Sequence, residues 1–269
     1  MNYLSKGEFY GQTNERQHMD GITLTDTEYT HDKVDWHYHE HPYFTFILQG
    51  RLLEGNKKET YHCSPGTLLF HNWQEPHYNI KPKGFARGFH IELGQKWLAD
   101  TDFDLAGLQG NIPVSNPDHK LLLYKIFRET KINDQTSSLS IQALLLQALT
   151  GMHQGQDDAL KTKPAWVKRL IEILHERRAE KLSLTELAQL LDIHPVHLSR
   201  DFSKHFRCGL GDYIRKLKIE RSLSLLPDKK QSLAAIAFEC GFSDQSHFIR
   251  CFKNMVGASP LAYRKILLR

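Results

Sequence analysis

The residues in this chain best placed to do chemistry begin with the run Trp36-His37-Tyr38-His39-Glu40-His41. In an extended strand, side chains two apart share a face, so His37, His39 and His41 converge on one side. Converging imidazoles suit either a metal ion or a ligand held by hydrogen bonds in an aromatic pocket. Tyr43, His77, His90 and Glu92 lie in nearby strand-like sequence and add polar groups. The candidate ligand pocket is therefore Trp36, His37, His39, His41, Tyr43, His77, His90 and Glu92. Within it, His37, His39 and His77 form the alternative metal set.

A second group suits contact with DNA. Val196, Ser199, Arg200 and Lys204 fall on one helical face, and Gln245, Ser246, His247, Ile249, Arg250 and Lys253 on another. Gln and Arg fit adenine and guanine edges, and Val or Ile can touch a thymine methyl. Arg and Lys further along such a helix more often hold phosphate.

The elements that must position these groups are legible in a repeat. LTELAQLLDIHPVHLSRDFSKHF runs from Leu184 to Phe206, and LAAIAFECGFSDQSHFIRCFKNMV from Leu233 to Val256. Leu184, Leu187, Ala188 and Ile193 match Leu233, Ile236, Ala237 and Phe242 at an offset of 49. Leu198, Arg200 and Phe202 match Phe248, Arg250 and Phe252 at an offset of 50. A fixed period marks a duplicated unit, here a helix-turn-helix near 184–206 and another near 233–256. In each, the second helix presents its early residues to a major groove. Leu198, Phe202 and Phe206 recur at spacing four and face the core; Phe248, Phe252 and Met255 do the same. Ser183 with Glu186 forms a capping box. Ser243 is expected to cap the second recognition helix and Gly241 to make its turn.

Charge divides the chain along the same line. Residues 161–269 hold 21 Lys and Arg against 11 Asp and Glu, a net of +10, and residues 1–160 hold 14 against 20, a net of −6. The basic half carries the repeat, which points to a polyanion partner. Short runs such as Tyr43–Leu48 and Thr67–Phe70, separated by Gly and Pro turns, predict several β-strands over about 21–93 and a sandwich or barrel. Residues 1–20 read as a mobile arm. Helices are expected over about 115–152, one capped at Asn116 before Pro117 and one from Ser138, with a wide apolar surface on the second that fits either core or a dimer interface. Residues 154–164 read as a linker and 165–269 as an all-α domain. The cysteines, Cys63, Cys208, Cys240 and Cys251, lack CxxC spacing and read as free thiols. There is no apolar run of the ~20 residues needed to span a membrane and no secretory leader, so the cytoplasm is expected.

The segment Gly241–Arg264, GFSDQSHFIRCFKNMVGASPLAYR, resembles the signature of the AraC/XylS transcriptional regulators. The resemblance covers about 165–269. It implies two helix-turn-helix units joined by a long helix near Leu210–Leu226, binding neighbouring stretches of double-stranded DNA. Carried over by motif, the base readers are Val196, Ser199 and Arg200, then Gln245, Ser246, His247, Ile249 and Arg250. This chain departs from that pattern at Arg207, where the family has Gly after the first recognition helix, and at His194, where it has a Ser cap. Residues 30–93 resemble a cupin, with His37-x-His39 like its first motif and Pro65-Gly66-Thr67 … Pro76-His77 like its second. A catalytic cupin adds a carboxylate three or four residues after its His-x-His, where this chain has Tyr43 and Phe44.

Residues 1–153 are thus expected to form an all-β cupin-like barrel with following helices, binding a small-molecule effector and making a homodimer. The whole is identified as a DNA-binding transcriptional regulator and not an enzyme, with no required cofactor, no metal, and RNA polymerase as a candidate partner. The alternative is a cupin-type metalloenzyme fused to a DNA-binding domain.

Overall fold

In a computed structural model, the chain divides into two compact units, Met1–His153 and Gln154–Arg269. The structure describes all residues except Trp73, Ala106, Gly107, 161–163, Arg178, Ala179 and Lys181, and only the backbone of 154–160. The strands are β1 (Asn2–Leu4), β2 (Gln12–Met19), β3 (Ile22–Glu28), β4 (Lys33–His39), β5 (Tyr43–Gln49), β6 (Leu52–Gly55), β7 (Thr60–Cys63), β8 (Leu68–His71), β9 (His77–Ile80), β10 (Arg87–Leu93) and β11 (Asn111–Pro113). The helices of the first unit are α1 (Gln95–Asp100), α2 (Pro117–Ile132) and α3, whose span Ser137–Leu160 crosses into the second. One sheet orders β1-β4-β9-β6-β7, and the other β11-β8-β5-β10-β3-β2.

Strands β3, β5 and β10 lie mid-sheet and are buried almost throughout. Alternation assigns their two faces. Phe46 and Phe89 pack on α2 through Tyr124 and Phe127, with ring centroids 4.5 and 5.2 Å apart. The residues between them, Thr45 and His90, therefore point to the other face. Along β5, that face runs from Tyr43 at one end to Ile47 at the other. Ile47 joins Leu52, Cys63 and Leu69 in an apolar cluster reaching across both sheets.

The α2 side also buries charge. Arg87 donates to both oxygens of Asp26, from Nε at 2.7 Å and from a terminal nitrogen at 2.5 Å. Lys131 on α2 donates to Asp26 at 2.8 Å and to Glu15 on β2 at 2.5 Å. Burial raises the Asp26 carboxyl, but the Arg87 and Lys131 contacts outweigh it and the net shift is downward.

Residues 1–20 are not a mobile arm. They form β1, parallel to β4, and β2, antiparallel to β3. Their sequence is polar because β2 is an edge strand with one open face, and its polar groups find partners on α2. Gln17 donates to the Thr130 carbonyl at 2.9 Å, and Glu15 accepts from Lys131. Helix α3 runs on to Leu160, so the span expected as a linker begins inside a helix; 161–163 lie outside the described residues. Among the described residues, no helix is long and apolar enough to cross a membrane.

The second unit continues with α4 (Ala165–Glu176), α5 (Leu184–Leu190), α6 (Pro195–Phe206), α7 (Leu210–Leu225), α8 (Leu233–Glu239), α9 (Gln245–Val256) and α10 (Pro260–Leu267). The duplication is longer than the sequence pattern suggested. Tyr213 on α7 closes over Phe202 and Phe206 at 5.6 and 4.9 Å. Tyr263 on α10, 50 residues later, closes over Phe252 at 6.0 Å. Each unit is therefore three helices. Helix α7 also serves the second unit, because Lys218 donates to the Gly241 carbonyl at 2.7 Å and Arg221 pairs with Glu239 at 3.1 Å.

Removing Asp26 breaks its buried pair with Arg87 and one of the two contacts of Lys131, and breaking a buried pair from one side typically costs about 3–5 kcal/mol. Asp26→Ala should destabilise the first unit on that scale in urea unfolding, while Asp35→Ala, at an exposed pair, should change it by less than about 1 kcal/mol. Equal effects of the two would refute the role given to Asp26.

Candidate functional site

The first site is a cluster of imidazoles between the two sheets. His37 and His39 alternate along β4, and His77 opens β9 directly opposite His37. Ring centroids lie 4.1 Å apart for His37 and His77, 5.4 Å for His37 and His39, and 5.6 Å for His39 and His77. Nδ1 of His37 bonds the Asp35 carbonyl at 2.9 Å, and Nδ1 of His77 bonds the Glu75 carbonyl at 3.1 Å. A carbonyl only accepts, so both rings carry their proton on Nδ1 and leave a lone pair on Nε2. The Tyr43 hydroxyl donates to His77 Nε2 at 3.0 Å. Nδ1 of His39 is buried without a hydrogen-bond partner.

His90 enters from β10, where Tyr29 and Thr45 meet its two nitrogens at 3.2 and 3.3 Å. Glu92 accepts from the Gly7 backbone at 2.5 Å. Two expected members stand apart. Trp36 faces outward, 37% exposed, and meets Tyr78 at 5.1 Å. Trp36 precedes the inward-facing His37 on an extended strand, so alternation turns it to the opposite face. His41 is half-buried in the turn after β4.

Other members had no local signal. His71 stacks on Tyr43 at 4.4 Å and bonds Asn111 at 3.0 Å. Glu54 comes within 3.2 Å of His71 Nε2 without hydrogen-bond alignment. Phe9 stacks on His90 at 3.7 Å and lies 4.7 Å from His39. His71 meets Tyr43 and Asn111 as register partners on neighbouring strands, Glu54 reaches it from the other sheet, and Phe9 comes from the N-terminal segment.

Burial governs the electrostatics. It lowers His37; it lowers His39 and His77 strongly, with neighbouring imidazoles adding to the effect. Burial takes both His71 and His90 down to about 3. It pushes the Glu92 carboxyl up to about 7 and Glu54 up to about 8. The cluster at neutral pH is therefore a set of uncharged imidazoles beside a protonated Glu54.

The second site is the pair of recognition helices, α6 and α9. Leu198 and Phe202 on α6, and Phe248, Phe252 and Val256 on α9, are fully buried. Val256 takes the inward place expected of Met255, which is half-buried. The opposite faces are open. Val196, Ser199, Arg200 and Lys204 are exposed, as are Gln245, Ser246, Arg250 and Lys253, with His247 and Ile249 half-exposed.

The two turns use one geometry with different residues. The amide of Ile193 bonds the Ala188 carbonyl at 2.9 Å, and the amide of Phe242 bonds the Ala237 carbonyl at 2.9 Å. Gly241 has φ 76°, and Asp192 takes the matching left-handed place at φ 53°. After the helices, Gly257 at φ 79° and Arg207 at φ 54° both close left-handed. A residue with a Cβ pays about 1–2 kcal/mol there, so the first unit carries strain that the second avoids.

The caps differ too. His194 Nδ1 accepts from the Val196 amide at 3.3 Å. In the second unit Asp244, not Ser243, is the cap, accepting from the His247 amide at 2.7 Å. A carboxylate reaches the third amide and favours the positive helix end, while Ser243 bonds Asp244 instead. On α6, Asp201 holds both cations, Lys204 at 3.0 Å and Arg200 at 3.2 Å. On α9, Arg250 and Lys253 have no ion-pair partner among the described residues.

Comparison with known proteins assigns each half of the chain to a domain family. A family model for an AraC-like ligand binding domain matches residues 21–149, and one for a helix-turn-helix domain matches residues 187–266. The Msm operon regulatory protein of Streptococcus mutans is 30% identical over 109 residues, 40% of this chain and 39% of that protein. An HTH-type transcriptional regulator of Bacillus subtilis, YbfI, is 27% identical over 222 residues, 78% of this chain and 80% of that protein. Among solved structures, apo ToxT from Vibrio cholerae aligns over 94% of this chain and 100% of that one, at 13% identity and a TM-score of 0.41. This chain is a two-domain transcriptional regulator, with a ligand-binding domain ahead of a helix-turn-helix DNA-binding domain. It belongs to the AraC family.

A carboxyl raised by burial takes up a proton on folding, so it stabilises the fold below its unfolded pKa and that contribution fades as pH rises through the folded one. For Glu54 the window runs from about 4.3, the ordinary value, to about 8. Glu54→Gln, which stays neutral, should be more stable than the parent at the top of this window. The advantage should disappear towards its bottom. Thermal unfolding as a function of pH checks this, and a constant difference would count against a protonated Glu54.

Proposed function

We propose that the chain binds an asymmetric DNA site through α6 and α9 and senses a small molecule at the imidazole cluster. The observation that supports this most is the matched exposure of two polar helix faces at equivalent places in a duplicated three-helix unit. Val196, Ser199 and Arg200 read bases from the first helix. Gln245, Ser246, His247, Ile249 and Arg250 read them from the second. Lys204 and Lys253 hold phosphate. The free Arg250 and Lys253 make α9 the stronger reader, since Arg200 and Lys204 must first leave Asp201. The effector is an uncharged or hydrogen-bonding small molecule, because neutral imidazoles and a protonated carboxyl offer donors and acceptors without net charge.

Binding of the full chain to its operator should weaken steeply with salt, as counterion release requires. Arg250→Ala should cost about 1–3 kcal/mol and relax the preference at one base pair. Lys253→Ala should weaken all sequences alike and lower the salt slope by about 1. Failure of the full chain to bind any DNA at low salt would overturn the reading.

The same reading makes the protein a homodimer through α3. Leu139 there is 74% exposed, an apolar side chain that a partner helix would cover. Leu139→Asp should shift the chain to monomer in sedimentation at micromolar concentration. A parent chain already monomeric under those conditions would end this part of the proposal.

A further inference from the structure

We infer that His197, a residue outside the base-reading set named above, positions Arg200 for its base and makes the first reading head sensitive to pH. The inference rests on the regulator reading and deepens it. Side chains three apart on a helix are neighbours, and here they touch. The Arg200 guanidinium donates from Nη2 to His197 Nδ1 at 3.0 Å. An arginine only donates, so His197 presents a lone pair at Nδ1 and carries its proton on Nε2.

The contact holds Arg200 in a useful place. Helical side chains lean toward the N-terminus, so Arg200 is drawn over the early part of α6, the part that enters a major groove. Its other hold is Asp201, which accepts from Nε at 3.2 Å. The two holds differ beside DNA. Phosphates repel the Asp201 carboxylate and attract the cation away from it, whereas a neutral imidazole carries no charge for them to act on. His197 is therefore the hold that survives docking. An arginine fixed in advance loses less rotamer freedom on binding than a free one, and its planar fork then faces one base edge.

The repeat supplies the comparison. His247 and Arg250 recur 50 residues later at the same spacing. There His247 meets Phe242 edge-on at 5.5 Å, and among the described residues no hydrogen bond joins it to Arg250. The second head reads with an arginine that no imidazole holds.

The surroundings of His197 leave its proton to decide. The ring is exposed, and helices α4, α5 and α7 pack on the opposite, buried face of α6 through Leu170, Leu187 and Tyr213. Among the described residues, the charged or titratable groups facing His197 are Arg200, with Asp201 behind it, and His194, whose ring lies 5.8 Å away. Imidazole is the side chain whose charge ordinarily changes between about pH 5 and 8. Protonated, His197 has no lone pair at Nδ1 and repels the guanidinium it held. The same charge attracts phosphate. Acid should therefore exchange base preference for sequence-independent affinity at the first head and spare the preference of Arg250 at the second.

The test uses the full chain and the duplex it selects from a randomised pool, with every base pair permuted in turn at about pH 8 and about pH 5.5. The pair read by Arg200 is the one whose preference Arg200→Ala abolishes. The parent should show that preference at about five- to 150-fold at the higher pH, the span of one bidentate contact. At the lower pH it should fall to the Arg200→Ala level, while the preference at the pair read by Arg250 holds and shows that the chain is folded. His197→Ala should lack the first preference at both pH values. His197→Asn, whose amide oxygen accepts where Nδ1 does and does not titrate, should keep it at both. His194 Nδ1 accepts from the Val196 amide at 3.3 Å, so acid also threatens the cap; His194→Ser, which keeps a cap, should retain the parent's pH dependence. A preference that His197→Ala keeps, that acid leaves unchanged in the parent, that His197→Asn loses in acid, or that His194→Ser frees from pH overturns the inference. So does a chain that selects DNA without using Arg200, and in these cases the regulator reading stands. A chain that selects no DNA overturns the regulator reading itself, and this inference with it.

Discussion

Burying one face of an element obliges the opposite face to be something else, and both halves of this protein are organised by that constraint. On strand β10, Phe89 and Ile91 turn to α2, so His90 and Glu92 must turn to the other sheet. On helix α9, Phe248, Phe252 and Val256 turn inward, so Gln245, Ser246 and Arg250 must turn out. The period is two in one case and near four in the other. The chemistry of each unit is carried by the residues that the core excludes.

The consequences differ because the excluded residues meet different surroundings. Those of the first unit face a second sheet and lose water. Desolvation then dominates: imidazoles are held neutral, Glu54 keeps a proton to about 8, and each nitrogen needs a specific partner. Those of the second unit face solvent and keep their charge. Their differences come from neighbours on the same helix, as with Asp201 beside Arg200 and Lys204. The duplicated unit is therefore unequal in function while near-equal in backbone. The paired turn hydrogen bonds at 2.9 Å are the same in both copies, whereas the left-handed positions are Asp192 and Arg207 in one and Gly241 and Gly257 in the other.

The second unit was the more legible half. Its helices are short, its capping box and turns are local, and its inward stripe repeats every four residues, so neighbours in sequence are neighbours in space. The misjudged details were those where two local candidates compete, Asp244 against Ser243 for the cap and Val256 against Met255 for the core. The first unit was legible in strand content and in the alternation of His37 and His39. It was not legible where pairing is distant. Residues 1–20 looked unstructured because an edge strand with an open face is polar. Their partners, Glu28 to Ile22 on β3 and Lys131 on α2, cannot be inferred from the segment itself.

By itself the sequence determined the repeat, the charge division, the helical faces and the His-x-His alternation, because each depends on spacing along the chain. Only the tertiary structure decided which imidazoles meet. The register of β4 on β9 sets His77 against His37. His71, Glu54 and Phe9 join because separate strands and the N-terminal segment fold onto one cluster. Pairing between strands is fixed by the packing of whole sheets, and that information is spread over the entire unit rather than written beside any one residue.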